Sequence, residues 1–117
     1  MGAQPKRILV VEDEPFVRHD LCDFFEDRGF QVFAAGTADE ALRIIEEQPA
    51  FGAVLTDIHT PGAIDGLRLA HMVKERHPPT IVVVASGVTS PDREALPEGA
   101  HFLPKPFNPR AVLRQFD

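Results

Sequence analysis

Five residues of the chain could together form a site for phosphoryl chemistry. Carboxylates are hard oxygen ligands that suit Mg²⁺ at an open edge, where the ion keeps several waters and a phosphate oxygen. A lysine ammonium and a serine hydroxyl can each donate hydrogen bonds to phosphoryl oxygens. A carboxylate in such surroundings is a nucleophile that can form an acyl phosphate. The five residues, each following a short apolar run, are Glu12, Asp13, Asp57, Ser86 and Lys105.

These residues can meet only if the runs before them are neighbouring strands of one sheet. Short apolar runs predict five strands, at residues 7–11, 30–35, 53–56, 80–85 and 100–103. Strands that alternate with helices imply right-handed crossovers and a parallel sheet covered on both faces. We therefore predict an α/β fold, a doubly wound five-stranded parallel sheet of the flavodoxin-like (βα)5 type.

The helices between these strands are predicted from apolar residues at helical spacing and from proline, glycine and asparagine at the boundaries. The segment PDREALP is bounded by prolines and has room for only about two helical turns, so the fourth helix is expected to be short. The expected helices run from Pro15 to near Gly29, from Ala38 to before Pro49, from about Asp65 to His77, through residues 91–97, and from the Asn108–Pro109 cap to Phe116.

The ends of the predicted strands form the edge where open α/β sheets bind ligands. Three carboxylates at this edge repel one another, and their desolvation is costly. They are tolerable only if a cation lies among them. The sequence therefore predicts a Mg²⁺ site formed by Glu12, Asp13 and Asp57.

The composition argues against several other functions. The formal net charge is −6 and there is no basic run, so direct nucleic-acid binding is not expected. No apolar run approaches the roughly 20 residues of a membrane span, and the N-terminal MGAQPKR lacks the apolar core of a secretory signal. Cys22 is the single cysteine, which suits a reducing, cytoplasmic compartment. The length of 117 residues predicts a single domain over 1–117, without an output domain.

Four segments, in this order along the chain, resemble the receiver domain of two-component response regulators, of the chemotaxis-regulator type. They are ILVVEDEP, VLTDIHTPG, the Ser86–Gly87 pair after TIVVVA, and FLPKPF, and the resemblance extends over roughly residues 6–116. It implies a module that takes a phosphoryl group from a sensor histidine kinase or a histidine phosphotransfer protein. It also implies that phosphorylation switches a surface that binds a downstream protein. Such a module is not an enzyme in the usual sense, because it catalyses only its own phosphorylation and slow self-dephosphorylation.

The resemblance assigns roles to the acidic residues and to one backbone group. Asp57 is implied to be the phosphoacceptor and a ligand of Mg²⁺. Asp13 is implied to bind Mg²⁺ directly, Glu12 to bind it through water, and His59 to contribute its backbone carbonyl.

The resemblance also assigns roles at the last two strands. Lys105 and Ser86 are implied to be catalytic, Ser86 being also the switch hydroxyl. Phe102, three residues before Lys105, corresponds to the switch aromatic residue of the family. The bond between Lys105 and Pro106 is expected to be cis, since X–Pro is the one place where a cis bond is inexpensive.

The sequence departs from the family pattern at four places. Thr60 stands where the family usually has Met, and the loop PGAIDG up to Gly66 is one residue longer than is common. Ser86 replaces the commoner Thr. The stretch from Ser86 to Lys105 is about three residues short, which is expected to alter the output surface around strand 5.

The residues leave two other functions to weigh. A Mg²⁺-dependent phosphohydrolase of the haloacid dehalogenase type would also use an Asp nucleophile. Its DxDxT pattern belongs after the first strand, however, whereas DIHT here follows the third and lacks the second Asp. A receiver-shaped adaptor that works without phosphorylation is disfavoured because every site residue is present.

The remaining histidines and the cysteine give no further pattern. His19, His71, His77 and His101 lack metal-ligand spacing and are expected to be surface residues. Cys22 is expected to pack within the first helix.

Overall fold

The computed structural model describes residues 6–87 and 95–116, which form one parallel sheet flanked by helices. The strands are β1 (Arg7–Val11), β2 (Gln31–Ala35), β3 (Ala53–Asp57), β4 (Ile81–Ser86) and β5 (His101–Pro104). The α-helices within the described ranges are α1 (Pro15–Glu26), α2 (Ala38–Glu47), α3 (Gly66–Arg76) and α4 (Arg110–Leu113), and a 3₁₀ helix over Arg114–Phe116 follows α4.

The strands lie in the order β2-β1-β3-β4-β5, and each neighbouring pair is parallel. This is the flavodoxin-like strand order, so the predicted fold class is confirmed. The register places Val11 opposite Thr56, and Asp57 opposite Ala85. The carboxyl ends of β1, β3 and β4 therefore reach the same edge of the sheet.

Each face of the sheet has its own apolar core, because successive strand residues point to opposite faces. Leu9, Val54 and Val82 pack in a cluster with residues of α2 and α3. Ile8 and Val83 pack in a second cluster with residues of α1 and α4. Burial on both faces explains why the central strands appear in the sequence as unbroken apolar runs.

Three helices begin at a side chain that accepts a hydrogen bond from the amide three residues further along. These N-cap residues are Glu14 for α1, Thr37 for α2 and Asp65 for α3. Such caps satisfy one of the otherwise unpaired amides of the first turn. The third acid of the EDE run thus starts a helix.

The first helix ends at Glu26, earlier than the predicted boundary near Gly29. The amide of Gly29 donates to the carbonyl of Glu26, and the amide of Phe30 donates to that of Phe25. Gly29 has a φ of 86°, in the left-handed region that glycine adopts without strain. A three-residue turn therefore closes the helix before β2.

The last helical segment covers the predicted region but changes type along it. Residues Arg110–Leu113 are α-helical and Arg114–Phe116 are 3₁₀. The side-chain oxygen of Asn108 accepts from the amide of Arg110 at 3.0 Å, as expected of a capping residue.

The predicted short fourth helix falls largely on residues 91–94, which lie outside the described residues. In its described part, Ala95 to Pro97, no residue is α-helical. The Lys105–Pro106 peptide bond is cis, as predicted.

The longest described helix, α1, has 12 residues, whereas a membrane span needs roughly 20. None of the helices within residues 6–87 and 95–116 has the length and apolarity to cross a membrane.

Gly66, the first residue of α3, allows the helix to pass directly against the end of β3. A Cβ at this position would collide with the backbone carbonyl of Asp57 and approach the Thr56 hydroxyl to 2.7 Å. We expect Gly66→Ala to lower the free energy of unfolding by about 1–3 kcal/mol, the usual cost of overpacking. Gly87→Ala is the matched control, because its Cβ would meet the Lys105 side chain at an ordinary 3.4 Å.

The control should change the free energy of unfolding by less than about 1 kcal/mol. Urea denaturation of the two variants measures the difference. Equal unfolding free energies for the two variants would show that α3 can move away from the end of β3 without loss of stability.

Candidate functional site

The three predicted metal-binding carboxylates meet at the carboxyl edge of the sheet. Glu12, Asp13 and Asp57 each offer one oxygen, and these oxygens lie within 4.8 Å of one another. Glu12 and Asp13 directly follow β1, and Asp57 is the last residue of β3, which pairs with β1. The cluster is all oxygen and partly open to solvent, which is the donor set that Mg²⁺ prefers. The residues present therefore fit the ion that the sequence predicts.

Lys105 bridges two of these carboxylates from the β5 side. Its Nζ atom lies 2.6 Å from Oε1 of Glu12 and 2.6 Å from Oδ2 of Asp57. The side chains are 26%, 5% and 12% exposed for Lys105, Glu12 and Asp57, so solvent screens the pairs only partly. Burial by itself would lower the pKa of Lys105, but the hydrogen bonds to Asp57 and then Glu12 outweigh it and raise that pKa. Lys105 therefore stays charged at neutral pH.

Glu12 is buried, and both of its carboxylate oxygens have partners. Oε1 accepts from Lys105, and Oε2 accepts from the amide of Glu14 at 3.1 Å. The backbone amide of Glu12 donates to the carbonyl of Ala35 on the neighbouring chain segment. Asp13, by contrast, is exposed. The two adjacent acids thus differ sharply in their freedom to bind a cation.

Arg18 also contacts the backbone of the site, although no motif in the sequence predicts it. Its Nη1 atom donates to the backbone carbonyl of Glu12 at 2.8 Å from the first turn of α1. A Cβ at Gly36 would lie 3.3 Å from the same Nη1, so the guanidinium fits closely between β1 and β2. A single basic residue on a helix gives no sequence pattern from which such a backbone contact could be predicted.

Asp57 is held from both sides of its carboxylate. Oδ2 accepts from Lys105, and Oδ1 accepts from the amide of His59 at 3.0 Å. The backbone carbonyl of Asp57 accepts from the Thr56 hydroxyl at 3.0 Å. The next residue, Ile58, continues the sheet, because its amide donates to the carbonyl of Ala85. Asp57 is therefore positioned by β4, by β5 and by the loop that follows it.

Ser86 and Phe102 occupy the end of β4 and the middle of β5. Ser86 is 3% exposed, and its backbone carbonyl accepts from the amide of Lys105 at 2.9 Å. Phe102 pairs with Val84 and is half-buried against the core shared with α2 and α3. A backbone hydrogen bond thus links the last residue of β4 directly to Lys105.

Two of the remaining histidines are engaged more closely than expected of surface residues. His71 is half-buried, and its Nε2 lies 2.6 Å from the carbonyl of Ala95. His77 is exposed, but its Nδ1 lies 2.7 Å from the Thr80 hydroxyl. The surface assignment of His71 was therefore wrong, because α3 faces the segment that leads to β5.

Cys22 is a half-buried free thiol within α1. Burial, with a smaller contribution from Glu26, raises the pKa of this thiol. A raised pKa keeps it protonated and poorly nucleophilic, which agrees with the expectation of helix packing.

Comparison with known proteins identifies the family to which this fold belongs. Residues 8–117 match the family described as the response regulator receiver domain. An NtrX-like response regulator of Rickettsia felis is 34% identical over 105 residues, which is 86% of this chain and 22% of that protein. The transcriptional activator protein PfeR of Pseudomonas aeruginosa is 38% identical over 104 residues, covering 87% of this chain and 33% of its own length. The chain thus spans between about a fifth and a third of these two relatives.

A solved structure gives the same result. The CheY-like receiver domain protein of Methanospirillum hungatei JF-1 superposes with a TM-score of 0.83 at 29% identity, covering 97% of this chain and 91% of that one. The sequence match, the strand order and the acidic cluster with its lysine agree with one another. The chain belongs to the response regulator receiver domains of two-component systems.

Proposed function

We propose that Asp57 is the phosphoacceptor of this receiver domain. The observation that carries the proposal is the position of its carboxylate, which shares the Lys105 ammonium with Glu12 and lies in the cluster formed with Glu12 and Asp13. One oxygen of Asp57 would form the new bond to phosphorus. The bond from phosphorus to the imidazole nitrogen of a phosphohistidine would break, and that imidazole would leave with the electron pair.

Lys105 would compensate charge as the phosphoryl group arrives. The transition state of such transfers spreads negative charge over the phosphoryl oxygens, and positioned cations stabilise that charge. The Lys105 Nζ atom is already 2.6 Å from Asp57, so it needs no large movement to reach an added phosphoryl oxygen. Ser86, at the end of the neighbouring strand, would supply a hydroxyl donor for another oxygen.

The metal proposal distinguishes the two acids after β1. Asp13 is exposed and would bind Mg²⁺ directly together with Asp57 and the backbone carbonyl of His59. Glu12 would act through water, because Lys105 and the Glu14 amide already occupy its two oxygens. The ion would supply positive charge that allows the phosphoryl group and the carboxylates to share one edge.

The partners that we propose for this domain follow from its membership of the receiver family. The phosphoryl group would come from a sensor histidine kinase or a histidine phosphotransfer protein in the cytoplasm. A downstream protein would read the phosphorylated surface, and neither nucleic acid nor membrane would be contacted directly. The domain would catalyse only its own phosphorylation and slow dephosphorylation.

The output of the domain would depend on Ser86 and Phe102. A phosphoryl group on Asp57 adds about −1.5 to −2 charge and three acceptor oxygens. If the Ser86 hydroxyl bonds one of them, the space beside β4 changes, and Phe102 on β5 can rotate inward. The bias is a hydrogen bond that exists only in the phosphorylated state.

Phosphorylation should require Asp57 and Mg²⁺. Wild-type protein treated with a small phosphodonor and Mg²⁺ should gain one phosphoryl group by intact mass, and Asp57→Asn should gain none. Asp20→Asn, which removes an exposed carboxylate on α1, is the matched control and should label like the wild type. Labelling of Asp57→Asn at the wild-type rate, or of wild type in excess chelator, would contradict the assignment.

Asp13 and Glu12 should differ in their effect on Mg²⁺ binding. By isothermal titration calorimetry, Asp13→Ala should weaken Mg²⁺ binding by roughly 100-fold and Glu12→Ala by roughly tenfold, as expected of a ligand and an outer partner. In chelator, Asp13→Ala should also melt at a higher temperature, because one repelling carboxylate is gone. Wild-type Mg²⁺ affinity in Asp13→Ala would rule out the proposed ligand set.

The switch should be visible in hydrogen exchange with beryllofluoride as a phosphoryl mimic. We expect beryllofluoride with Mg²⁺ to alter exchange over residues 95–105 in the wild type. Ser86→Ala should still accept a phosphoryl group by mass but show little of this change. Full transmission to residues 95–105 in Ser86→Ala, or a wild-type change confined to residues near Asp57, would show that the coupling takes another route.

A further inference from the structure

The loop between β3 and α3, residues 58–65, carries the main chain past the proposed acceptor; we refer to it as the acceptor loop. Its two ends are fastened near the sheet. The Ile58 amide donates to the carbonyl of Ala85, and the Gly66 amide donates back to the carbonyl of Ile58, both at 2.9 Å. These bonds close the base of the loop but leave its outer part, which is one residue longer than is common in the family, to be held by other means.

The outer part is held by Asp39, from the first turn of α2. Its Oδ2 accepts from the backbone amide of Ala63 at 2.9 Å, across 24 residues of sequence. The adjacent Gly62 has a φ of 118°, and a Cβ at that position would collide with the Asp39 carboxylate. The loop is therefore shaped to receive this side chain, with a backbone conformation that favours glycine.

Ile58 and Ile64 of the loop pack against the core, but Thr60 between them does not contribute a hydrogen bond to this arrangement. The hydroxyl of Thr60 is buried and has no hydrogen-bond partner within the described structure. A buried polar group without a partner costs free energy that contact with water would recover. An outward movement of the loop around Thr60 would relieve this cost, and the Asp39–Ala63 hydrogen bond opposes that movement.

We propose that Asp39 is a positioning residue of the receiver site. By holding Ala63, it keeps the main chain at His59 beside Asp57, where the His59 amide already lies 3.0 Å from Oδ1 of that residue. This inference rests on the proposed function, in which the His59 carbonyl is a ligand of Mg²⁺. Loss of the Asp39 contact allows the loop to turn Thr60 toward water and carries His59 away from the metal position.

Asp39 also lies in the first turn of α2, where any acid favours the helix, so the experiment must separate the two roles. Asp39→Ala removes the contact to the loop, whereas Asp39→Asn retains an oxygen that can accept from Ala63. Thr37→Ala is the matched control, because it removes the N-cap hydrogen bond of the same helix and leaves the loop contact in place. Gly62→Ala is a second way to break the contact, from the side of the loop.

We expect Asp39→Ala and Gly62→Ala to weaken Mg²⁺ binding by about tenfold in calorimetry, the effect of losing an outer support of a metal ligand. Asp39→Asn should restore most of the affinity. Thr37→Ala should lower the melting temperature with wild-type Mg²⁺ affinity. In metal-free protein, the Ala63 amide should exchange faster in Asp39→Ala than in the wild type or in Thr37→Ala.

Unchanged Mg²⁺ affinity in Asp39→Ala, or an equal loss in Thr37→Ala, would overturn the positioning role. So would a loss in Asp39→Asn as large as that in Asp39→Ala, since charge rather than the hydrogen bond would then be responsible. Wild-type protein that takes no phosphoryl group onto Asp57 would instead overturn the proposed function. If the wild type is phosphorylated normally and Asp39→Ala binds Mg²⁺ with unchanged affinity, the positioning role is overturned and the proposed function stands.

Discussion

The bond of one lysine to two carboxylates is the interaction around which this molecule is arranged. Glu12 and Asp57 would repel each other at the edge of the sheet, and their partial burial makes that repulsion expensive. Lys105, 2.6 Å from both, offsets it from the opposite end of the sequence. The lysine reaches them only because β5 pairs with β4, β4 with β3, and β3 with β1. The charge compensation at this edge therefore depends on the strand order.

The supports of the site are mostly backbone contacts. Arg18 holds the carbonyl of Glu12, and the carbonyl of Asp57 faces Gly66 so closely that no side chain fits between them. Asp39 holds the amide of Ala63. The carbonyls of Glu12 and Asp57 lie at the ends of β1 and β3, so contacts to them couple the carboxylates to the sheet.

The sequence was sufficient to predict the five strands and the meeting of the acids. Apolar runs buried on both faces are unambiguous as strands when prolines and glycines bound them, which is why β1, β3 and β4 were located to within a residue or two. The parallel arrangement then required Asp57 and Lys105 to share an edge. The resemblance to receivers predicted the cis bond before Pro106, which the structure contains.

What the sequence could not give were contacts that depend on exact placement in space. Arg18 and Asp39 are single charged residues on helices, and nothing in their spacing distinguishes them from residues on a solvated face. What distinguishes them is the backbone group that each reaches, a carbonyl for Arg18 and an amide for Asp39. For the same reason, the sequence does not distinguish the roles of Glu12, Asp13 and Glu14. Glu14 is a helix cap only because α1 begins directly after it.

Asp57 is held by β3, of which it is the last residue, and by Lys105, which follows β5. These two strands differ in how easily they can respond to a change in charge at Asp57. β3 has a neighbour on each side and is almost wholly buried, so the acceptor itself has little room to move. In the described part of the chain, β5 is an edge strand of four residues that pairs with β4 alone, and it leads directly to Lys105. A force on the lysine is therefore taken up more easily by β5 than by β3. This difference favours Phe102, on that edge strand, as the residue that would respond to a phosphoryl group on Asp57.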